Sequence, residues 1–146
     1  MRWRIVAVGK PRLSYARDGI EEYLSRLRNF GSVEVETVKA STQDKEGKAL
    51  LEKSEGCFRL VMDERGKMFT SRAFSAELEK IELHPKKPCA LIVGGADGLI
   101  PAVREKADLV WSLTTGTLQH ELALVVALEQ IYRACTIKAG LPYHRD

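Results

Sequence analysis

A run of five apolar residues, Cys89–Val93, places the strongest constraint on how this chain can fold. A strand that is apolar on both faces needs cover on both faces, which is the situation of parallel strands in α/β proteins. Elsewhere, segments in which apolar and polar residues alternate are followed by segments in which apolar residues recur every three or four positions. These two patterns together predict an α/β layer fold in which helices cover both faces of a parallel-rich sheet.

The same patterns predict where the strands and helices lie. We expect strands over residues 4–9, 33–37, 58–63, 89–93 and 109–111, with the second at an edge of the sheet and a turn at 64–67 closing the third. We expect helices from Ser14 to about Gly31, over 49–54, after a cap at Ser71, from Pro101, and over 120–139. The polar stretch 40–48 is predicted to be a loop.

The size and composition of the chain limit its class. A length of 146 residues predicts one domain spanning 1–146. The net charge of +3 is lower than that of a typical non-specific DNA-binding protein, but it permits a local phosphate-binding patch. No apolar run approaches the roughly 20 residues that span a bilayer, and Lys10-Pro11-Arg12 interrupts the apolar start before it resembles a signal peptide. We therefore expect a cytoplasmic protein.

Cysteine and histidine usage predicts no metal site. The three cysteines lack C-x-x-C spacing, and the three histidines are scattered along the chain. We expect Cys57, Cys89 and Cys135 to be buried free thiols.

Two loops follow predicted strands and should meet at the carboxyl edge of the sheet, where open α/β folds bind ligands. The turn Gly94-Gly95-Ala96-Asp97-Gly98 matches neither a dinucleotide fingerprint nor a Walker loop, so a plain tight turn is the alternative to close approach of a ligand. The loop from Leu113 to Leu118 places threonine hydroxyls between apolar walls, a mixture that suits an adenine ring. Its alternative is an ordinary polar loop in which Thr117 helps to start the last helix.

The terminal Tyr143-His144-Arg145-Asp146 carries a π surface, a proton carrier and a guanidinium that can grip phosphate. A frayed terminus is the alternative. The last helix is apolar along two stripes, one with Leu122 and Val126 and the other with Leu124 and Leu128. A helix of this kind needs two partners, which favours a second subunit over a core helix in a monomer.

Several segments together resemble the RlmH family. The resemblance rests on LIVGGADG at 91–98, WSL at 111–113, TLQH at 117–120, EQIYRA at 129–134, PYHR at 142–145, IVAVGK at 5–10 and EYL at 22–24. The match covers nearly the whole chain. It implies a SPOUT-class α/β fold with a C-terminal trefoil knot, whereas the general rule against knots favours an unknotted sheet.

The resemblance also implies a function. Members of the family are homodimers that use S-adenosyl-L-methionine to methylate N3 of a pseudouridine in 23S rRNA on the assembled ribosome. Two alternatives stay open: a non-catalytic module that binds the ribosome or RNA, and a SPOUT methyltransferase that acts on tRNA.

The family's site residues transfer by position. The cofactor side would comprise Met62, Gly94, Gly95, Leu113, Thr114, Thr115, Gly116, Thr117 and Leu118, and the substrate side His120, Arg133, Tyr143, His144 and Arg145. Of these, His144, Arg145, Tyr143 and Arg133 would be catalytic: His144 or a water accepts the N3 proton, an arginine stabilises the negative charge, and Tyr143 stacks on the base. Gln119 stands where relatives commonly have proline, and with Gly116 it is expected to loosen the pocket wall.

Overall fold

The computed structural model describes residues 1–83 and 86–144 of the chain. His84 and Pro85, and Arg145 and Asp146 of the terminal motif, lie outside the described residues. Within the described part, one parallel sheet has the strand order β2-β1-β4-β3-β5. Its strands are β1 (Trp3–Val8), β2 (Val33–Val38), β3 (Phe58–Lys67), β4 (Cys89–Val93) and β5 (Leu109–Trp111). The prediction of a parallel sheet with the second strand at an edge is confirmed.

Helices cover both faces of this sheet. They are α1 (Ser14–Leu27), followed by a 3-10 turn at Arg28–Phe30, then α2 (Gln43–Lys53), α3 (Ser71–Glu82), α4 (Pro101–Glu105) and α5 (His120–Ala139). Helices α1, α3 and α5 bury their apolar side chains with Leu91 of β4. Helices α2 and α4 do so on the opposite face with Ile92. Every residue of β4 is buried, as its apolar run predicts.

The prediction of a loop over 40–48 is wrong, because helix α2 already begins at Gln43. The hydroxyl of Thr42 accepts a hydrogen bond from the main-chain N–H of Lys45 at 3.2 Å and caps this helix. Gly47, which suggested a loop, lies where a Cβ would come within 2.6 Å of Ile100. The glycine thus permits close packing of α2 against the segment before α4.

The prediction of a turn at 64–67 is also wrong, because β3 continues to Lys67 with a register shift after Met62. The N–H of Ser112 donates to the carbonyl of Lys67 at 2.9 Å. A Cβ on Gly66 would lie 2.6 Å from the carbonyl oxygen of Val110, so this glycine allows two strands to approach closely.

Smaller corrections concern helix starts and the cysteines. Thr70, not Ser71, caps α3 by accepting the N–H of Ala73 at 3.1 Å. The cysteines are free, as predicted; Cys57 and Cys89 are buried, and Cys135 is half-buried. Among residues 1–83 and 86–144, no helix has the length and apolar character required to span a membrane. The trefoil knot stays a prediction.

Candidate functional site

A cavity of about 340 Å³ lies at the carboxyl ends of β3, β4 and β5. Its walls come from the end of β3, the glycine turn and the loop before α5, as the parallel sheet predicts. Of the residues expected on the cofactor side, all but Thr115 line it, namely Met62, Gly94, Gly95, Leu113, Thr114, Gly116, Thr117 and Leu118. His120, expected on the substrate side, lines it as well.

The glycine turn is shaped by packing within the protein. Gly98 has a φ of +79°, and its N–H donates to the carbonyl of Gly95 at 3.0 Å. A Cβ on Gly94 would lie 2.9 Å from Leu99, and one on Gly95 would lie 3.0 Å from the carboxylate of Glu46. Gly94 and Gly95 therefore leave room for the neighbouring side chains of Leu99 and Glu46, while their main chain forms part of the cavity wall.

Helix α2 supports the glycine turn. The sequence analysis missed this support because it assigned the start of α2 to a loop. The side-chain amide of Gln43 donates to the carbonyl of Asp97 at 2.7 Å. Glu46 is buried, and its carboxylate accepts the N–H of Ser41 at 2.9 Å. The signal that could have revealed this helix is Thr42 as a cap, followed by acidic residues in the first turn.

The end of β3 brings charged side chains to the cavity. Two of them, Glu64 and Arg65, belong to the segment that was predicted to be a turn. The carboxylate of Asp63 lies 3.4 Å from Arg104 and 3.3 Å from Arg65. Glu64 accepts a hydrogen bond from the hydroxyl of Thr117 at 2.6 Å. This charge-assisted contact joins β3 to the loop before α5 and holds two cavity walls together.

The loop before α5 is ordered by its own polar groups. The hydroxyl of Ser112 donates to the carbonyl of Thr114 at 2.9 Å, and the hydroxyl of Thr114 accepts the N–H of Gly116 at 3.3 Å. Gly116 has no positive φ, and a Cβ there would meet nothing closer than 4.0 Å. Below the loop, Trp111 stacks on Phe74 with ring centroids 4.1 Å apart.

Gln119, not Thr117, caps helix α5. Its side-chain carbonyl accepts the N–H groups of Glu121 and Leu122 at 2.8 and 3.0 Å. Its amide nitrogen lies 3.3 Å from Nδ1 of His120. The glutamine thus supplies hydrogen bonds that anchor the helix start beside the cavity, while the looser pocket wall stays a prediction.

Tyr143, the first residue of the terminal segment, docks on α1 and α5 and not at the cavity of its own chain. The hydroxyl of Tyr143 donates to Glu129 at 2.9 Å and lies 3.4 Å from that of Tyr23. Its ring meets Tyr132 edge-on at 4.7 Å, and the guanidinium of Arg133 lies 5.0 Å from the ring centre. Burial, followed by the hydrogen bonds with Tyr23 and Glu129, raises the pKa of Tyr143. The phenol therefore acts as a donor and not as a base at neutral pH.

Helix geometry gives the scale of this separation. Arg133 follows His120 by 13 residues of α5, which corresponds to roughly 20 Å along a helix. Arg133, Tyr143 and His144 do not line the cavity, and Arg145 lies outside the described residues. The structure thus gathers the predicted cofactor residues other than Thr115, together with His120, while Arg133, Tyr143 and His144 lie elsewhere in the same chain. Among the residues that the structure describes, no group of three or more His, Cys, Asp or Glu could hold a metal ion.

Comparison of the sequence with known proteins identifies a family. The sequence profile described as "Predicted SPOUT methyltransferase" matches residues 1–144. The chain is 48% identical over 145 residues to a "Ribosomal RNA large subunit methyltransferase H" from Thermus thermophilus, and the match covers 99% of both chains.

Solved structures show the same fold at low identity. A probable methylase family protein from Haemophilus influenzae matches with a TM-score of 0.61 at 13% identity, over 99% of this chain and 70% of that one. A Neisseria gonorrhoeae ribosomal RNA small subunit methyltransferase E, solved with bound S-adenosyl methionine, matches with a TM-score of 0.51 at 13% identity, over 90% and 65%. On the match of the family profile to nearly the whole chain, this protein belongs to the SPOUT methyltransferase family.

Proposed function

We propose that this chain methylates N3 of a pseudouridine in 23S rRNA on the assembled ribosome, with S-adenosyl-L-methionine as the methyl donor. The observation that carries the proposal is the cavity between the glycine turn and the loop before α5. Nearly full-length similarity to a protein named as a large-subunit rRNA methyltransferase supports the choice of substrate. Such a substrate would place the protein in the bacterial cytoplasm.

The cavity suits the proposed donor in size and charge. About 340 Å³ lies within the usual range for small-molecule sites. Leu113 and Leu118 provide apolar walls for an adenine ring, and the main chain of Gly94 and Gly95 provides polar groups. When bound, S-adenosyl-L-methionine supplies a methyl group that its positive sulfonium already activates.

Acidic side chains are the second argument for a cationic donor. Asp63, Glu64 and Asp97 line the cavity together with one arginine, Arg65. Two guanidinium groups pair with Asp63, whereas Glu64 contacts the neutral hydroxyl of Thr117. The lining therefore favours a ligand that carries positive charge.

The position of the terminal segment argues for a homodimer. The roughly 20 Å that separate Arg133 from His120 along α5 prevent the segment from reaching the cavity of its own chain while it is docked on Tyr132. We infer that a second copy supplies Tyr143, His144 and Arg145 to each cavity. Leu122 and Val126 of α5, which are only half-buried in the single chain, are available for such an interface.

Within that dimer, the chain's residues would orient the base and move its proton. His144, or a water that it holds, would accept the proton from N3, and Arg145 or Arg133 would stabilise the negative charge on the base or bind RNA phosphate. The docked Tyr143 would fix where the terminal segment leaves α5. Stacking of Tyr143 on the base would require its release from Glu129 and Tyr132.

The direct test incubates the protein and methyl-labelled donor with assembled ribosomes that lack the modification, and in parallel with tRNA. We expect label in 23S rRNA at one pseudouridine. Label in tRNA would favour a different SPOUT substrate. If calorimetry with S-adenosyl-L-methionine gives no binding heat, the protein is an RNA-binding module without this catalytic function.

Subunit mixing tests the composite site. His144→Ala removes the proposed proton acceptor, and Gly116→Trp fills the cavity, so each variant alone should be inactive. After exchange at equal amounts, half the dimers carry one intact cavity facing one intact terminal segment, and about a quarter of wild-type activity should return. No recovery, despite demonstrated exchange, would contradict a site shared between subunits.

A further inference from the structure

The loop between β1 and α1 lies beside the proposed cofactor cavity. Strands β1 and β4 are parallel neighbours, with Ala7 opposite Val93, so this loop and the glycine turn leave the same edge side by side. A small adjoining cavity is lined by Gly9 and Pro11 of the loop together with Gly94 and His120. Gly94 and His120 also line the large cavity, so the two cavities share part of their walls.

A carboxylate from α5 holds the loop in place. Glu121 is 9% exposed, and its Oε1 accepts the main-chain N–H groups of Arg12 and Leu13 at 2.8 and 3.0 Å. Hydrogen bonds from two amides to one carboxylate are charge-assisted and stronger than neutral ones. The loop's main chain is therefore anchored to the helix that begins at the cavity.

Three side chains of this loop and of the first turn of α1 are basic and exposed. Lys10, Arg12 and Arg17 are all exposed, and none of them pairs with a carboxylate of the described residues. Elsewhere, Arg26, Arg65 and Arg133 each lie within 3.3 Å of a carboxylate oxygen. The nearest acidic residue along the segment is Asp18, which forms no ion pair with these three cations.

An exposed apolar residue and an exposed aromatic residue lie between these cations along the chain. Tyr15 is 55% exposed and Leu13 is 38% exposed. Basic side chains interspersed with an exposed aromatic ring are typical of surfaces that follow a nucleic-acid backbone and stack on bases.

We propose that Lys10, Arg12 and Arg17, with Tyr15 between them, form a docking surface for RNA phosphates at the mouth of the cavity. The proposal rests on the proposed RNA substrate, and it assigns recognition to a surface within the catalytic chain itself. RNA fits better than a second copy of the chain, because burying three cations that form no ion pair within the described residues would be costly in a protein contact, whereas phosphates neutralise them and release counterions. The anchoring by Glu121 reduces the ordering cost of binding.

The test compares two triple variants of equal charge change. The first is Lys10→Ala, Arg12→Ala and Arg17→Ala. The matched control is Arg28→Ala, Lys87→Ala and Lys106→Ala, three exposed cations that follow helices or precede β4 at the opposite edge of the sheet. Binding to ribosomes is measured by anisotropy across a salt series, donor binding by calorimetry, and the assembly state by sedimentation.

Loss of three phosphate contacts should reduce the slope of log K against log salt by about 2 to 3 for the first variant. The control should keep the wild-type slope, and both should bind S-adenosyl-L-methionine as the wild type does. Equal slopes for the two variants would overturn the proposal, as would dissociation of the first variant into monomers, which would make the surface a protein interface. Wild-type protein that binds donor but no ribosome would instead contradict the proposed rRNA substrate.

Discussion

Gln119 provides a quantitative test of how the cavity wall is anchored. Its side chain accepts two main-chain N–H groups of α5, and its φ and ψ are −58° and 137°. Gln119→Ala removes the oxygen that accepts both hydrogen bonds at an exposed helix start, which costs about 1 kcal/mol in the free energy of unfolding. Gln119→Pro loses the same bonds, but the backbone already has the φ that proline requires. Because proline restricts the unfolded chain, it adds about 0.4 to 1 kcal/mol to the free energy of unfolding.

We therefore expect Gln119→Ala to be less stable than wild type and Gln119→Pro to lie within about 0.5 kcal/mol of it. The melting temperature of the alanine variant should fall by about 2 to 4 °C. Urea unfolding followed by circular dichroism, at one fixed protein concentration, measures both values. An alanine variant as stable as wild type, or a proline variant less stable than the alanine one, would refute this account of the helix start.

Three further predictions follow from single side chains. Gly116→Ala should leave stability and donor affinity close to wild type because the Cβ has room. Gly116→Trp should lower donor affinity at least about tenfold in calorimetry. Normal affinity in the tryptophan variant would place the donor elsewhere. Tyr143→Phe removes the bond to Glu129, and should cost about 1 kcal/mol or less in urea unfolding while lowering turnover without weakening donor binding. Burial raises the pKa of Cys135 to about 11 from 9.0, so at pH 8 iodoacetamide should alkylate the native thiol about a hundredfold more slowly than the unfolded one. Because the native state favours the neutral thiol, its contribution to stability is complete below pH 9 and is lost as pH rises through 11; a native alkylation rate equal to the unfolded one would contradict both statements.

The two errors over 40–48 and 64–67 share one physical cause. Gly47 and Gly66 were interpreted as loop and turn residues because glycine weakens helices and strands in isolation. In the structure each lies where a Cβ would collide with a distant segment, Ile100 in one case and Val110 in the other. The preference of a glycine for a turn is local, whereas close packing depends on a neighbour far along the chain.

The residues of the candidate site also divide into those that local sequence patterns predict and those that depend on distant contacts. The two loops that form the cavity were predicted correctly because parallel strands place their following loops on one edge, whatever the details of packing. The contacts of Glu64 with Thr117 and of Glu121 with the loop after β1 join residues 53 and more than 100 positions apart. No periodicity or motif in a single sequence reports such a pair.

The sequence by itself determined the α/β class, the parallel sheet and the edge at which the two cavity loops meet, because hydrophobic periodicity and strand direction are properties of short segments. Only the tertiary structure decided which residues support those loops and where the terminal segment lies. The length of α5 keeps Tyr143 and His144 away from the cavity of their own chain, and that distance is why the proposed catalytic site requires a second subunit.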